Sequence, residues 1–489
     1  MKLNNKDVTK KYLTEPFNNL INKKGFATNK NTMYIIRGTT GLGKTYATFN
    51  DFIPALFGKH NLDLVIYSYP KTEVFDKMDA NLCITESILQ SGKHVQLCTS
   101  VKEAMTYLKK GYKVLLCLTH AAITNKNGKK FMRDLEGMGL ITGYFVDESH
   151  SWMISHIDNY RNVMGSNTPK YEGGLFKMLS KLAERTPYIF GLTATPNAEQ
   201  INKVPVIGSM QFKMMNDYPK LEETIGRSGW MGSVTTYDLE GLDKSEIFNL
   251  FGDAVELHLK ESDLYGKGTM MIKVGRANCG LELTMENVQN YLKYLVRCGY
   301  IEYLGKKSDM VAVLTSDFKG FINFIPCVVG NNNGIKIEYT TRTEDEVKDA
   351  LANTEHNCQI LLVVEKGDMG MNIHNLKTFF SFRRTDKDMG TLYDKEPITE
   401  NAIQTIGRMM RIYTGVSNEE FTDKWGYDLT EYVKSLTDDE VEDLLELNSY
   451  KIYVPNNEMW NASISAIRKD LSPSKEMANA WIKEIRNNI

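Results

Sequence analysis

The chain has 489 residues, more than one ordinary hydrophobic core accommodates, so two or three domains are expected. Its composition, 42% hydrophobic and 25% charged with only 12 prolines, excludes a disordered or fibrous protein. A net charge of −2 excludes nucleic-acid binding through a globally basic surface and confines any such site to a local groove balanced by acids elsewhere.

The opening MKLNNKDVTKKYL lacks the apolar stretch of a signal peptide, and no run approaches the roughly 18 apolar residues of a membrane span. The seven cysteines are scattered without CxxC spacing, which argues against zinc or disulfide chemistry. A cytoplasmic protein without a membrane anchor is expected.

Short apolar runs alternate with amphipathic stretches, the pattern of parallel sheets covered by helices, so the expected fold class is α/β. In chain order the first strands are TMYIIRG (32–38), LDLVIYSYP (62–70), HVQLCTS (94–100), KVLLCLTH (113–120), GYFVDES (143–149) and YIFGLTAT (188–195). They assign residues 1–205 to one domain. Residues 206–260 show no sustained period and hold the glycine-rich GRSGWMGS (226–233), so they read as a linker or small insertion. Within it the surroundings of Trp230 read as an exposed loop, which makes Trp230 a better candidate than Trp152 for stacking on a base, though stacking is not the favoured reading of either.

A second series runs TMMIKVG (269–275), MVAVLTSD (310–317), IKIEYT (335–340), QILLVVEKG (359–367) and TFFSFRR (378–384). It assigns 261–415 to a second α/β domain. Residues 416–489 read as a small helical C-terminal region, with Thr437 capping a helix in SLTDDEVEDLLELN (435–448).

Two motifs carry chemistry. GTTGLGKT satisfies GxxxxGK[ST] and lies between an apolar strand and the expected helix KTYATFNDF. Its residues Gly38, Thr39, Thr40, Gly41, Leu42 and Gly43 let backbone N–H groups wrap phosphates. Lys44 supplies charge to the β- and γ-phosphates of ATP, and Thr45 an oxygen to Mg²⁺. About a hundred residues on, a strand delivers Asp147-Glu148-Ser149-His150. Asp147 suits a hard-metal ligand and Glu148 a base that positions the attacking water. No HxxxH or Cys/His cluster suggests zinc. Trp152, just beyond, is expected to pack in a core rather than stack on a base.

GLGKT followed by DESH resembles the first two motifs of superfamily 2 helicases of the DEAH and DExH type, and further motifs follow in order. Thr193-Ala194-Thr195 resembles the family's S/TAT motif, which together with His150 implies coupling between nucleotide state and nucleic-acid grip. The segment ILLVVEKGDMGMNI (360–373) resembles the fifth motif and keeps Gly370, with Asn372 in place of an aspartate beside the nucleotide. The segment QTIGRMMR resembles the sixth, which implies that Gln404 senses nucleotide and that Arg408 and Arg411 act as arginine fingers. By the same resemblance, Lys71 and Thr72, Thr119 and His120 after first-domain strands, and Arg276 in the second domain contact nucleic-acid phosphates.

The resemblance implies two tandem RecA-like domains and a nucleic-acid-stimulated ATPase using ATP and Mg²⁺, with DNA the expected partner ahead of RNA and a monomer as default. The pairing of GMNIHNL with QTIGRMMR is most similar to phage recombination and branch-migration helicases of the UvsW type and to restriction-enzyme motors, which places the protein in the host cytoplasm if it is viral. Rival readings are a duplex-DNA translocase subunit without strand separation, an RNA helicase, and a non-hydrolysing ATP-gated clamp.

Overall fold

The computed structural model describes residues 8–39, 42–70, 77–149, 174–194, 210–227, 229–238, 244–265, 268–273, 358–363, 376–382, 403, 406–407, 409–410 and 429–487. The chain divides into two units, Lys6–Pro219 and Lys220–Ile489, the latter grouped with Met1–Asn5. Both are built on parallel sheets flanked by helices, which is the expected α/β class.

In the N-terminal unit, β1 (Thr32–Arg37), β2 (Leu64–Tyr69), β3 (Val95–Cys98), β4 (Lys113–Thr119), β5 (Thr142–Val146), β6 (Ile189–Thr193) and β7 (Gln211–Met214) form one sheet. Its order is β3-β4-β2-β5-β6-β1-β7, and every adjacent pair is parallel. All positions of β2 and β5 are buried, as expected of strands covered on both faces. One face packs Ile35, Ile66, Leu116, Tyr144 and Val146 with residues of the helices Val101–Lys109 (α5), Lys126–Met138 (α7) and Gly174–Ala183 (α8). The six strands expected in this half are all present.

The N-terminal segment was not assigned from sequence. It folds into a π turn, Lys10–Thr14, continuing into helix α1, Glu15–Ile21. Phe17 of α1 stacks on Phe52 at 4.1 Å and lies 5.1 Å from Phe190, while Phe145 stacks on Phe190 at 4.9 Å. This aromatic layer fills the other face of the sheet. The expected helix after Lys44 is helical throughout, as α2 (Lys44–Ala47), a π turn (Thr48–Phe52) and α3 (Ile53–Lys59), and α4 (Lys77–Ser91) lies between β2 and β3.

In the C-terminal unit, β8 (Trp230–Tyr237), β9 (Gly268–Lys273), β10 (Cys358–Val363), β11 (Leu376–Ser381) and β12 (Ser449–Pro455) form a second parallel sheet, ordered β10-β9-β11-β12-β8. The expected strands 310–317 and 335–340 lie outside the described residues. Residues 206–260 are not a free linker: β7 closes the first sheet, β8 edges the second, and Lys244–Tyr265 is a long helix, α9. Trp230 corrects the expectation that its surroundings form an exposed loop. It is fully buried, donates from Nε1 to the Ile225 carbonyl at 3.1 Å, and belongs to a core with Leu429, Val433, Trp481 and Ile482.

The C-terminal region is helical as expected, with Leu429–Ser435 (α10), Asp438–Leu447 (α11), Glu458–Ala466 (α12) and Lys475–Asn487 (α13), and it also contributes β12. Thr437 caps α11: its hydroxyl accepts from Glu440 N–H while the Glu440 carboxylate accepts from Thr437 N–H, a reciprocal box. Among the described residues no helix is long and apolar enough to cross a membrane.

Candidate functional site

The chemistry-bearing residues gather at the carboxyl ends of β1, β5, β2 and β4, the edge of an open parallel sheet where ligands bind. β1 ends at Arg37 and the loop begins at Gly38, whose N–H donates to the Thr193 carbonyl at 3.2 Å. The phosphate loop and the TAT segment are therefore tied together by backbone. Two loop glycines stand where a side chain would be crowded or strained. A Cβ on Gly38 would stand 2.5 Å from the Leu42 side chain, and Gly43 sits at φ +84°, a left-handed conformation strained for any other residue.

Gly43 precedes α2, whose first residue is Lys44. The Lys44 ammonium donates to the carbonyls of Gly38 at 2.7 Å and Thr39 at 3.2 Å. Burial lowers its pKa, and the negative charges of Glu148 and Asp147 work against that shift and favour the cation. Thr45 follows on the same first turn. The N-terminal segment braces the loop from behind, with Thr9 Oγ1 donating to the Leu42 carbonyl at 2.9 Å.

The acidic turn follows β5. Asp147 is buried, its N–H donates to the Ser68 carbonyl at 2.8 Å, and Tyr67 donates its hydroxyl to Asp147 Oδ2 at 2.7 Å. Burial, then the adjacent Glu148, raises the Asp147 carboxyl above the usual carboxylate range, while the Tyr67 hydrogen bond and Lys44 act the other way. A cation brought beside such a pair would relieve the repulsion that raises it. Glu148 takes φ +46°, unusual for a residue other than glycine, asparagine or aspartate. Ser149 is fully buried, and a Cβ on Gly191 of β6 would stand 2.8 Å from its Cβ and Oγ. The bare α-carbon of Gly191 makes room for the turn.

Of the residues expected at the site, Gly38, Thr39, Leu42, Gly43, Lys44, Thr45, Asp147, Glu148 and Thr193 are described and lie on this one edge. Thr119 and His120 are described as well, and their side chains turn inward. The Thr119 hydroxyl accepts from Ala122 N–H at 3.2 Å and so caps the short helix α6, His120–Thr124. His120 places Nδ1 3.1 Å from Ser68 Oγ and Nε2 3.0 Å from the Asp147 carbonyl, and burial pushes its pKa down to about 4. Thr40, Gly41, Lys71, Thr72, His150, Trp152, Thr195, Arg276, Gly370, Asn372, Gln404, Arg408 and Arg411 lie outside the described residues. Around Gln404, Arg408 and Arg411 in the sequence, Ile403, Ile406, Met409 and Met410 are buried.

Sequence reasoning missed Thr9, Tyr67, Ser68 and the segment after β7. In that segment Asn216 Oδ1 accepts from Arg37 N–H at 3.1 Å, Arg37 Nε donates to the Asn216 carbonyl at 2.9 Å, and the guanidinium lies 4.7 Å from the Tyr218 ring centre. Tyr218 in turn donates to the Ala194 carbonyl at 2.6 Å. The strand that launches the phosphate loop and the TAT segment thus share one clamp. A cavity of about 770 Å³ between α7 and α8, at the opposite edge of the sheet, holds none of these residues. No group of three or more histidine, cysteine, aspartate or glutamate side chains placed to hold a metal occurs among the described residues.

Residues 6–198 match the family model described as type III restriction enzyme, res subunit, a stretch that carries the phosphate loop, the acidic turn and Thr193. The expected resemblance to superfamily 2 helicases and restriction-enzyme motors is borne out there. No curated protein matches the chain. Among solved structures the chain is similar to Mycobacterium smegmatis helicase Lhr bound to ssDNA and AMP-PNP, with 12% identity, 91% of this chain and 47% of that one covered, and a TM-score of 0.43. It is similar also to the ATP-dependent type ISP restriction-modification enzyme LlaBIII bound to DNA (12% identity, 99% and 34% covered, TM-score 0.45). Saccharomyces cerevisiae Dbp5 bound to RNA and ADP BeF3 is a third (11% identity, 98% and 92% covered, TM-score 0.44). The chain thus spans half or less of the first two, and likeness of this degree says nothing of what it binds.

Proposed function

Starting from a superfamily 2 helicase-like domain of the res-subunit type at residues 6–198, we propose that this chain is a nucleic-acid-stimulated ATPase that moves along or remodels nucleic acid, with DNA favoured over RNA. The observation that carries the reading is the convergence of Lys44, Asp147 and Glu148 on one sheet edge, close enough that both carboxylates favour the Lys44 cation.

Lys44 and the loop N–H groups bind the phosphates. Glu148 holds the attacking water and accepts its proton, and the buried Asp147, aligned by Tyr67, supplies charge without moving. Thr45 and Asp147 fit Mg²⁺, which takes one or two protein oxygens plus substrate phosphates and would neutralise charge on the leaving group. Movement follows when nucleotide state alters the Thr193 segment, which is bonded to the phosphate loop through Gly38. The finer placement, as a recombination or restriction motor in a cytoplasm, a phage host's included, belongs to the same proposal.

The test is a steady-state ATPase assay over single-stranded DNA, duplex DNA, forked DNA, a four-way junction and RNA. Glu148→Gln should cut turnover by on the order of 10²- to 10⁴-fold while ATP still binds. Lys44→Ala should remove binding and turnover together. Strongest stimulation by branched DNA supports recombination and stimulation by duplex alone supports a translocase subunit. A response to RNA only would overturn the DNA assignment, and unchanged turnover in Glu148→Gln would overturn the catalytic one.

A further inference from the structure

We propose that His120 is the positioning residue of the acidic turn, linking the segment after β4 to the carboxylates of the hydrolytic site, rather than a contact for nucleic-acid phosphate. The inference rests on the hydrolytic reading above. β2 lies between β4 and β5 in the sheet, and Ser68 is in register with Leu118 of β4 on one side and Val146 of β5 on the other. His120 comes two residues after Leu118, and Asp147 directly follows Val146. The imidazole therefore bridges the end of β2, meeting Ser68 Oγ at 3.1 Å on its way to the Asp147 carbonyl at 3.0 Å.

The carbonyl partner fixes one side of the ring. A backbone carbonyl only accepts, so Nε2 carries the proton and donates to it, while Nδ1 pairs with the Ser68 hydroxyl, a group able to take either role. With both nitrogens engaged, none remains for a phosphate. Asp147 is then held at four points, its N–H by the Ser68 carbonyl, its carbonyl by His120, and its carboxylate by Tyr67 at Oδ2 and by the Glu148 N–H at Oδ1.

The next residue is where that hold matters. Glu148 sits at φ +46°, a conformation that persists only when its surroundings over-determine it. Fixing the peptide plane between Asp147 and Glu148 from the carbonyl side is what His120 contributes. The same bond makes any shift at the start of α6 felt at the carboxylates.

The experiment compares His120→Met and His120→Gln in the full chain. The two replacements have like length, but only the carboxamide can donate to the Asp147 carbonyl and accept from Ser68. Turnover, KM for ATP, ATP affinity and affinity for a single-stranded oligodeoxynucleotide are measured, with wild type and Lys44→Ala alongside. His120→Met should lower kcat by about ten- to a hundredfold at unchanged KM and oligonucleotide affinity, and His120→Gln should restore it to within about threefold. Wild-type kcat in His120→Met would overturn the positioning role while the hydrolytic reading stood. So would a selective loss of oligonucleotide affinity, the mark of a phosphate contact. Loss of kcat in both variants alike would show that the donor at this position is not what matters. Turnover that survives Lys44→Ala would instead sink the hydrolytic reading itself, and the proposal with it.

Discussion

Residue identity at this site is governed by space as much as by charge. Gly191 lies in β6, two residues before the TAT segment, and a methyl there would stand 2.8 Å from Ser149 and 2.6 Å from Met33 Cε. Methionine can yield, being flexible, whereas Ser149 is fully buried in the acidic turn and cannot move without taking Glu148 with it. Gly191→Ala should therefore cost roughly 1–3 kcal/mol of stability and lower turnover about tenfold or more, because a small misplacement of a reacting group is expensive. Thermal unfolding and steady-state ATPase assays of the one variant check both. A stability loss with turnover intact would mean that the turn relaxes independently of its strand.

At the same scale, the sequence displayed the groups that do the chemistry but not those that hold them. Lys44 and Asp147 stand in recognisable strings with fixed spacing. Tyr67 and Ser68 sit inside LDLVIYSYP, where they look like any buried strand residues. Their meaning comes from parallel pairing with residues 80 positions away, and register across a parallel sheet is set by packing that one strand's own pattern does not contain. His120 was visible as a polar residue after a strand; that its ring turns toward the acidic turn was not.

Among elements, the expected strands of the first sheet formed because uninterrupted apolar runs suit strands buried on both faces. β8 escaped for the opposite reason. It is an edge strand whose middle positions are exposed or half-buried, and its glycine-rich entry reads as loop although Trp230 is core. Helix α1 escaped because, at seven residues with Pro16 in its first turn, it is too short for the four-residue recurrence of Leu13, Phe17 and Ile21 to stand out.

The second sheet carries its own electrostatic burden. Lys377 of β11 is buried, and its ammonium donates to Asn448 Oδ1 at 3.3 Å. Burial, then nearby Lys451, lowers its pKa from 10.5 to about 7. Between those values the unfolded chain holds a proton that the folded chain has released, so stability rises with pH across that window. Below it both states are protonated and the full cost is present. Lys377→Met should thus raise the unfolding temperature at pH 6 to 7, and the gain should shrink toward pH 10. An equal gain at both ends would mean that the ammonium carries no burial cost.

For the whole molecule, the order of motifs along the chain already implied two α/β units, and both sheets are there. The residues of the proposed phosphate site described above all belong to Lys6–Pro219, whereas the two arginines that sequence resemblance assigns to the transferred phosphoryl group, Arg408 and Arg411, belong to the other unit. A self-sufficient ATPase in the first unit and a motor that needs both units make different predictions. If both units are needed, Arg408→Ala or Arg411→Ala should leave ATP affinity within about threefold of wild type and cut stimulated kcat roughly 10³- to 10⁵-fold. Lysine at either position should rescue poorly, because an ammonium is a point charge and cannot reproduce the two-pronged contact of a guanidinium with phosphate. Nucleotide titration and ATPase rates with saturating DNA separate the cases. Wild-type turnover in both alanine variants would make Lys6–Pro219 the complete catalyst.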